Sequence, residues 1–395
     1  MKQTYKRVLT TSLKSKKSES SLKPILTSGN YASAEGAIAA GCLFFAGYPI
    51  TPSSEIAAYM SRRLPEVDGT FVQMEDELAS LACCLGASYT GTKAMTATSG
   101  PGLSLMAENI GLGVMLEAPV VIVTIMRGGP STGQPTNASQ SDVYQTRYAS
   151  HGDYQMIVLA PSTVQEMYDL TIRAFNLAEK YRTPVIVASD GILGQMMEPV
   201  YLHSDFELIE RKKPQVPPEK YKPFEALDAD LIPGMAVAGT EYHFYVTGLT
   251  HDEEGNPQMT PEAGEILIKR LCDKILNGRP EINDWEEKYT NDADVVILAY
   301  GINARGVPDA VEKAREQGHK VGYVRLKSLW PFPDELMEKL GRQGISKVIV
   351  SEMNYGMLIR EVQRFRHLFE VSGISIPTVI PFSPKFIYQR LLREV

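Results

Sequence analysis

The sequence predicts an α/β protein built on two parallel-sheet domains, and three observations lead to that expectation. Short apolar runs of strand type alternate with helical stretches along most of the 395 residues. Successive predicted strands end in turns that carry an acid, a Ser/Gly pair or an arginine, and in open parallel sheets ligands bind at that edge. A proline-rich, charged stretch from Arg211 to Pro233 interrupts the alternation and reads as a linker. At 43.7 kDa the chain is also long for one core.

The elements follow in order. Residues 1–28 form a basic arm, in which Lys2, Lys6, Arg7, Lys14, Lys16, Lys17 and Lys23 face the single acid Glu19. The arm has no apolar core of the signal-peptide type, which excludes a secretory signal; a solvated arm or a strap onto a partner is expected ahead of a transit peptide. Ala32 to Phe45 is Ala-rich and reads as a helix stopped by Gly47. In Tyr48-Pro49-Ile50-Thr51-Pro52 the two prolines hold the backbone extended, and Ser53 or Ser54 can cap a helix from Glu55 to Leu64.

Thr70 to Gln73 is a strand that delivers Glu75, Asp76 and Glu77 to a helix spanning Leu78 to Tyr89. Lys93 to Thr98 is a strand ending in Ser99-Gly100-Pro101-Gly102, and Val120 to Met126 one ending in Arg127-Gly128-Gly129-Pro130. The loop from Gly128 to Ser141 is long enough to line a site or an interface. Met156 to Ala160 is a strand, Thr163 caps a helix to about Lys180, and Pro184 to Ala188 is a strand ending in Asp190-Gly191. Beyond the linker, Glu262 to Asn277 is an amphipathic helix. The second unit then reads as strands Val295 to Tyr300, Lys320 to Leu326, Lys347 to Glu352 and Pro377 to Ile380. Helices Pro308 to Gln317, Asp334 to Leu340 and one reaching about Phe369 separate them. The expected division is 1–28, 29–205, an irregular link over 206–290, and 291–395.

Composition narrows the function. With 44% hydrophobic and 22% charged residues the chain is of ordinary globular type. A net charge of −7 and a pI near 5.6 argue against a nucleic-acid binder. No apolar run approaches the ~20 residues that span a bilayer. Cys42, Cys83, Cys84 and Cys272 show no C-x-x-C spacing and read as small buried residues in a reducing, cytoplasmic setting. No histidine pattern of metal type occurs, so this chain is not expected to hold a metal. On local grounds alone, Glu75, Asp76 and Glu77 read as acids complementing a helix dipole, and a strand-end arginine reads as a surface ion pair.

Together, these motifs resemble those of the thiamine-diphosphate enzymes that oxidise 2-oxoacids with ferredoxin. Tyr48 to Ser54, Met74-Glu75-Asp76-Glu77, Thr96 to Gly102, Arg127 to Thr136 and Gly248 to Glu253 carry the likeness in order, over nearly the whole chain after Ser28. The closest likeness is to alpha subunits of separate-subunit enzymes acting on 2-oxoglutarate; enzymes of branched-chain 2-oxoacids (2-oxoisovalerate) are near neighbours. The resemblance implies a pyrimidine-binding parallel sheet for the first domain and a transketolase C-terminal-like α/β fold for the second. It implies that Glu77 meets the aminopyrimidine ring, where a carboxyl bonded to the ring nitrogen favours the imino tautomer that removes the C2 proton. Burial should raise the pKa of Glu77 while the helix dipole opposes the rise. Thr98, Ser99 and Gly100 would line the same cofactor. Arg127 would take the 2-oxoacid carboxylate in a guanidinium fork, assisted by Thr51. The loop Tyr48, Pro49, Ile50, Thr51, Pro52 would lie where coenzyme A approaches.

Such enzymes need a Gly-Asp-Gly turn and a downstream Asn for Mg²⁺ and the diphosphate. Asp190-Gly191 is the nearest approach, preceded by Ser189, and no Asn follows before Asn256. The diphosphate, Mg²⁺ and a [4Fe–4S] cluster are therefore expected on a beta subunit, with gamma-like and ferredoxin-like subunits completing the heteromer. The implied reaction belongs with the tricarboxylic acid cycle. Three rivals remain. A nicotinamide dehydrogenase would need a third glycine after Gly100-Pro101-Gly102, where Leu105 stands instead. The other two are a scaffold subunit shaping a partner's site and a pyruvate-dehydrogenase-like chain feeding lipoamide.

Overall fold

A computed structural model describes residues 23–394; the expectations for the arm up to residue 22 lie outside the described residues. The strands are β1 (Ile25–Ser28), β2 (Cys42–Gly47), β3 (Thr70–Gln73), β4 (Lys93–Thr98), β5 (Val120–Gly128), β6 (Gln134–Ala138), β7 (Ile157–Leu159), β8 (Pro184–Asp190) and β9 (Met197–Val200). After the linker come β10 (Trp285–Lys288), β11 (Val295–Tyr300), β12 (Val321–Leu326), β13 (Ser328–Trp330), β14 (Lys347–Glu352) and β15 (Glu370–Ser375).

The first sheet runs β13-β7-β8-β5-β4-β2-β3, parallel throughout except at β13. Its central strand β5 is buried along its whole length, as a strand covered on both faces must be. Alternate residues feed two cores. Val121 and Val123 pack with Met60, Met167 and Phe175; Val120 and Ile122 pack with Leu81, Leu85 and Ile110. The second core is continuous with Leu298, Val324 and Val350 of the second sheet, so one apolar mass joins the two domains. The second sheet runs β10-β12-β11-β14-β15, with only β10 antiparallel, and its outer face is covered by Val307–Glu316 and Pro384–Leu391.

Several expectations need correction. The helix expected from Ala32 to Phe45 is the helix Gly29–Ala39 followed by β2. Gly41 takes φ +84, a left-handed turn open to glycine, and redirects the chain into β2 beside β4. The helix does pack closely: a Cβ on Gly36 would sit 2.5 Å from the Tyr168 carbonyl. Ser53 does not cap the next helix, because its hydroxyl donates to the Ile50 carbonyl at 2.9 Å. Within the loop expected from Gly128 to Ser141, β6 folds back antiparallel onto β5.

At the other end, the last strand is β15, not Pro377 to Ile380; Pro377 has no N–H for a ladder. Ile25–Ser28 pairs with β9, so regular structure starts inside the span assigned to the arm. The proline-rich segment is held by enclosed charges rather than lying loosely on the surface. Arg211 grips Glu179 through two 2.7 Å bonds, and Arg182 Nη1 donates to the carbonyls of Pro223, Pro233 and Gly234.

Candidate functional site

The carboxyl ends of β2, β3, β4 and β5 lie along one edge of the first sheet. After β3, Asp76 caps the helix Glu77–Tyr89 by accepting the Ala79 N–H at 2.7 Å, which turns the Glu77 side chain inward. Glu77 is 3% exposed. Its carboxyl lies against Gly102: a Cβ there would stand 2.1 Å from Thr98 Oγ1 and 2.4 Å from Glu77 Oε1. Only glycine leaves the acid its place. Burial pushes the Glu77 carboxyl up, its own backbone N–H opposes this, Asp76 adds to the rise, and Arg127 lowers it without cancelling it.

Thr98 and Ser99 are buried, and the Ser99 hydroxyl is enclosed with no hydrogen-bond partner. Gly100 forms part of a cleft wall. From β5, Arg127 is 6% exposed and is fixed by two carbonyls, Nη1 donating to Thr51 at 2.8 Å and Nη2 to Thr132 at 2.9 Å. Those bonds leave further N–H donors on the fork, and Nε is enclosed without a partner. The loop after β2 is tied in from the other side, where Asn30 Nδ2 donates to the Pro52 carbonyl at 2.9 Å. Tyr48, Pro49 and Thr51 face solvent, Ile50 is half-buried and Pro52 buried. The structure thus brings Glu77, Thr98, Ser99, Gly100 and Arg127 together, while the loop reaches them through one carbonyl.

The cleft, about 440 Å³, is lined by Gly100, Arg127, Pro130 and Asp142 of the first domain and by Tyr355 and Met357 of the second. Gln140 sets that junction. Its Nε2 donates to the Tyr300 carbonyl at 3.0 Å, and its Oε1 accepts the Met353 N–H at 3.0 Å. Asp190 does the same from β8, accepting the Ile302 N–H at 2.9 Å and the Leu193 N–H at 3.1 Å. A larger cavity of about 660 Å³, lined by Lys180, Tyr181, Lys212 and Glu281, lies at the amino-terminal end of β8, away from these groups. Gly102, Asp142, Gln140 and Asn30 were not predicted as site residues. Gly102, the last residue of the turn that follows Thr98, carried a local signal; the other three carried none.

Among the described residues no cluster of His, Cys, Asp and Glu could hold a metal ion, and no helix is long and apolar enough to cross a membrane. Residues 35–269 match the family described as pyruvate flavodoxin/ferredoxin oxidoreductase, thiamine diphosphate-binding. Residues 293–375 match core domain II of pyruvate:ferredoxin oxidoreductase. The chain is similar to the 2-oxoglutarate synthase subunit KorA of Methanocaldococcus jannaschii, 55% identical over 337 residues, 85% of this chain and 90% of that protein. It is 38% identical to the ketoisovalerate oxidoreductase subunit VorB of Methanothermobacter marburgensis, over 86% of this chain and 88% of that one. Among solved structures it resembles a 2-oxoglutarate:ferredoxin oxidoreductase from Magnetococcus marinus with 2-oxoglutarate, coenzyme A and succinyl-CoA bound. That likeness has a TM-score of 0.89 at 38% identity and covers 94% of this chain but 65% of the longer solved chain.

Proposed function

The chain belongs to the pyruvate flavodoxin/ferredoxin oxidoreductase family, and from that membership we propose that it is the alpha subunit of a 2-oxoglutarate:ferredoxin oxidoreductase. The reaction is 2-oxoglutarate, coenzyme A and oxidised ferredoxin to succinyl-CoA, CO₂ and reduced ferredoxin, or its reverse. The higher identity to the 2-oxoglutarate synthase subunit than to the ketoisovalerate enzyme favours this substrate over a branched-chain one.

The observation that supports the reading best is the Glu77–Gly102 contact within reach of Arg127, whose charge acts on the Glu77 carboxyl. These residues fit the pyrimidine end of thiamine diphosphate. Glu77 offers an enclosed carboxyl of raised pKa, Gly102 keeps a cradle that any side chain would fill, and Ser99 has an unspent hydroxyl. When bound, that cofactor supplies a nucleophilic carbon and an electron sink for decarboxylation. Glu77 holds a proton against the ring nitrogen, where low solvent access strengthens the bond. Arg127, fixed by Thr51 and Thr132, presents its free N–H groups to the substrate carboxylate and offsets charge near the reacting carbon. The loop from Tyr48 to Pro52, exposed at Tyr48, Pro49 and Thr51 and linked to Arg127 through the Thr51 carbonyl, is the face offered to coenzyme A.

The diphosphate end does not fit this chain. Both carboxyl oxygens of Asp190 are spent on the backbone N–H groups of Leu193 and Ile302. We therefore assign the diphosphate, Mg²⁺ and a [4Fe–4S] cluster to a beta subunit, and further domains to gamma-like and ferredoxin-like subunits of a cytoplasmic heteromer. The test is activity of the complex purified anaerobically through this subunit, with coenzyme A, thiamine diphosphate, Mg²⁺ and a viologen acceptor. Fast dye reduction with 2-oxoglutarate is expected, with a loss of roughly 10²–10⁴-fold in Glu77→Gln. Preference for 2-oxoisovalerate would reassign the substrate, and a fully active Glu77→Gln complex would leave only a scaffold role. No reduction with 2-oxoglutarate, 2-oxoisovalerate or pyruvate, cluster present, would overturn the reading.

A further inference from the structure

Asp142 has no part in the function above, yet it is the carboxyl that lines the cleft. It precedes the short helix Val143–Arg147 but does not cap it with its side chain. Its Oδ2 is enclosed without a hydrogen-bond partner, and so is Nε of Arg127; neither atom satisfies the other. A Cβ on Gly100 would stand 3.4 Å from Asp142 Oδ2, which puts the carboxyl on the wall beside the Ser99-Gly100 turn. The other side chains sharing the cleft with it, Ser104, Gln145, Tyr355 and Met357, carry no charge at neutral pH. Arg127 is the charged group that acts on it.

Two unpaired atoms of opposite character in one cleft leave room for a polar ligand between them. A 2-oxoacid held on Arg127 brings a second carboxylate next to Asp142. Two carboxylates in such a site do not both stay ionised cheaply, so one takes up a proton. A 2-oxoacid is the stronger acid, and the proton goes to the protein. We propose that Asp142 is a proton-linked binding residue. It becomes protonated as the substrate carboxylate docks on Arg127, and its neutral carboxyl then donates a hydrogen bond to the bound anion. This inference rests on the function proposed above. Burial already pushes the free Asp142 carboxyl up to about 6, with Arg127 pulling the other way, so the change falls in a working pH range.

The experiment is KM for 2-oxoglutarate in the assembled complex from pH 6 to 8.5 at saturating coenzyme A. KM is expected to rise with pH, approaching tenfold per unit, the limit for one linked proton. Asp142→Asn should flatten that slope and hold KM near the low-pH value. Calorimetry of 2-oxoglutarate binding to the Glu77→Gln complex, in two buffers of different ionisation enthalpy, should register uptake of about one proton per site. That measurement decides the matter even if Asp142→Asn fails to assemble. A flat wild-type KM in an active complex, an unchanged slope in Asp142→Asn, or binding without proton uptake each overturns the proposal. Absence of turnover with every 2-oxoacid would instead strike the functional reading beneath it.

Discussion

Glu117 and Asp142 both lie close to arginines, and the chain treats them in opposite ways. Glu117 is fully buried, with Oε1 2.6 Å from Arg270 Nη2 and Oε2 2.7 Å from Lys274 Nζ, while Arg182 Nε donates to its carbonyl. Burial alone would raise its pKa, but Lys274 and Arg270 outweigh burial and hold the carboxyl well below the usual carboxylate range. Around Arg127, by contrast, the carboxyls of Asp142 and Glu77 are both raised by burial. Under the linker, Glu117 spends both carboxyl oxygens on cations, and of the Arg182 guanidinium only Nη2 is enclosed without a partner. At the cleft, donors and acceptors of Arg127, Ser99 and Asp142 are withheld. Unsatisfied buried atoms cost stability, and around Arg127 they sit beside carboxyls of raised pKa, a combination that marks a site.

That contrast can be broken most sharply at Glu117. Glu117→Gln leaves two cations enclosed without their counter-charge, and a loss of about 3–5 kcal/mol in urea unfolding is expected. The folded pKa of Glu117 lies below the unfolded one. Its contribution is therefore complete above the ordinary carboxyl value of 4.5 and fades as pH falls below it. The gap between the two proteins should accordingly narrow between pH 5 and pH 3. At the cleft, Gly102→Ala drives a methyl into Glu77 and Thr98. Displacing a positioned acid by about an ångström costs on the order of 10²-fold in kcat/KM, and urea midpoints would show whether the fold is spared.

Smaller effects sharpen the comparison. Gln140→Ala removes bonds that hold Met353 and Tyr300 across the junction, for a loss of about 1–3 kcal/mol, seen as a lowered urea midpoint. Glu77→Gln should change stability least, and with the opposite sign to Glu117→Gln. The folded pKa of Glu77 lies above the unfolded one, so ionising it in place disfavours the native state as pH rises past 4.5. The variant should unfold at a slightly higher urea concentration at pH 7 and lose that advantage near pH 4. Destabilisation at pH 7 would mean that Glu77 is a structural acid like Glu117.

How much of this was legible depended on how local each signal was. Strands β3, β4, β11 and β14 were readable to the residue, because each is a short run with strong strand formers, bounded by turn residues. Strand β2 was not, since Cys42–Gly47 continues the apolar character of the preceding helix and only Gly41 marks the change. Glu77 and Arg127 stood out through motifs that are contiguous in the chain. Asp142 meets Arg127 only because β6 folds back, and Gln140 and Asp190 matter because of Tyr300, Ile302 and Met353, more than 100 residues away. No window of neighbouring residues contains such pairings.

Strand β13 has a consequence of its own. Ser328–Trp330 lies in the second half of the chain yet forms the edge of the first sheet against β7, and Trp330 Nε1 donates to the Val143 carbonyl at 3.3 Å. The two halves are therefore not modules in the genetic sense. A chain divided in the linker would leave its first half with an unpaired, apolar strand, open to pairing with foreign chains. Fission or recombination of the gene has to keep β13 together with a sheet encoded well over a hundred codons earlier, which restricts how this subunit can be split, shuffled or fused.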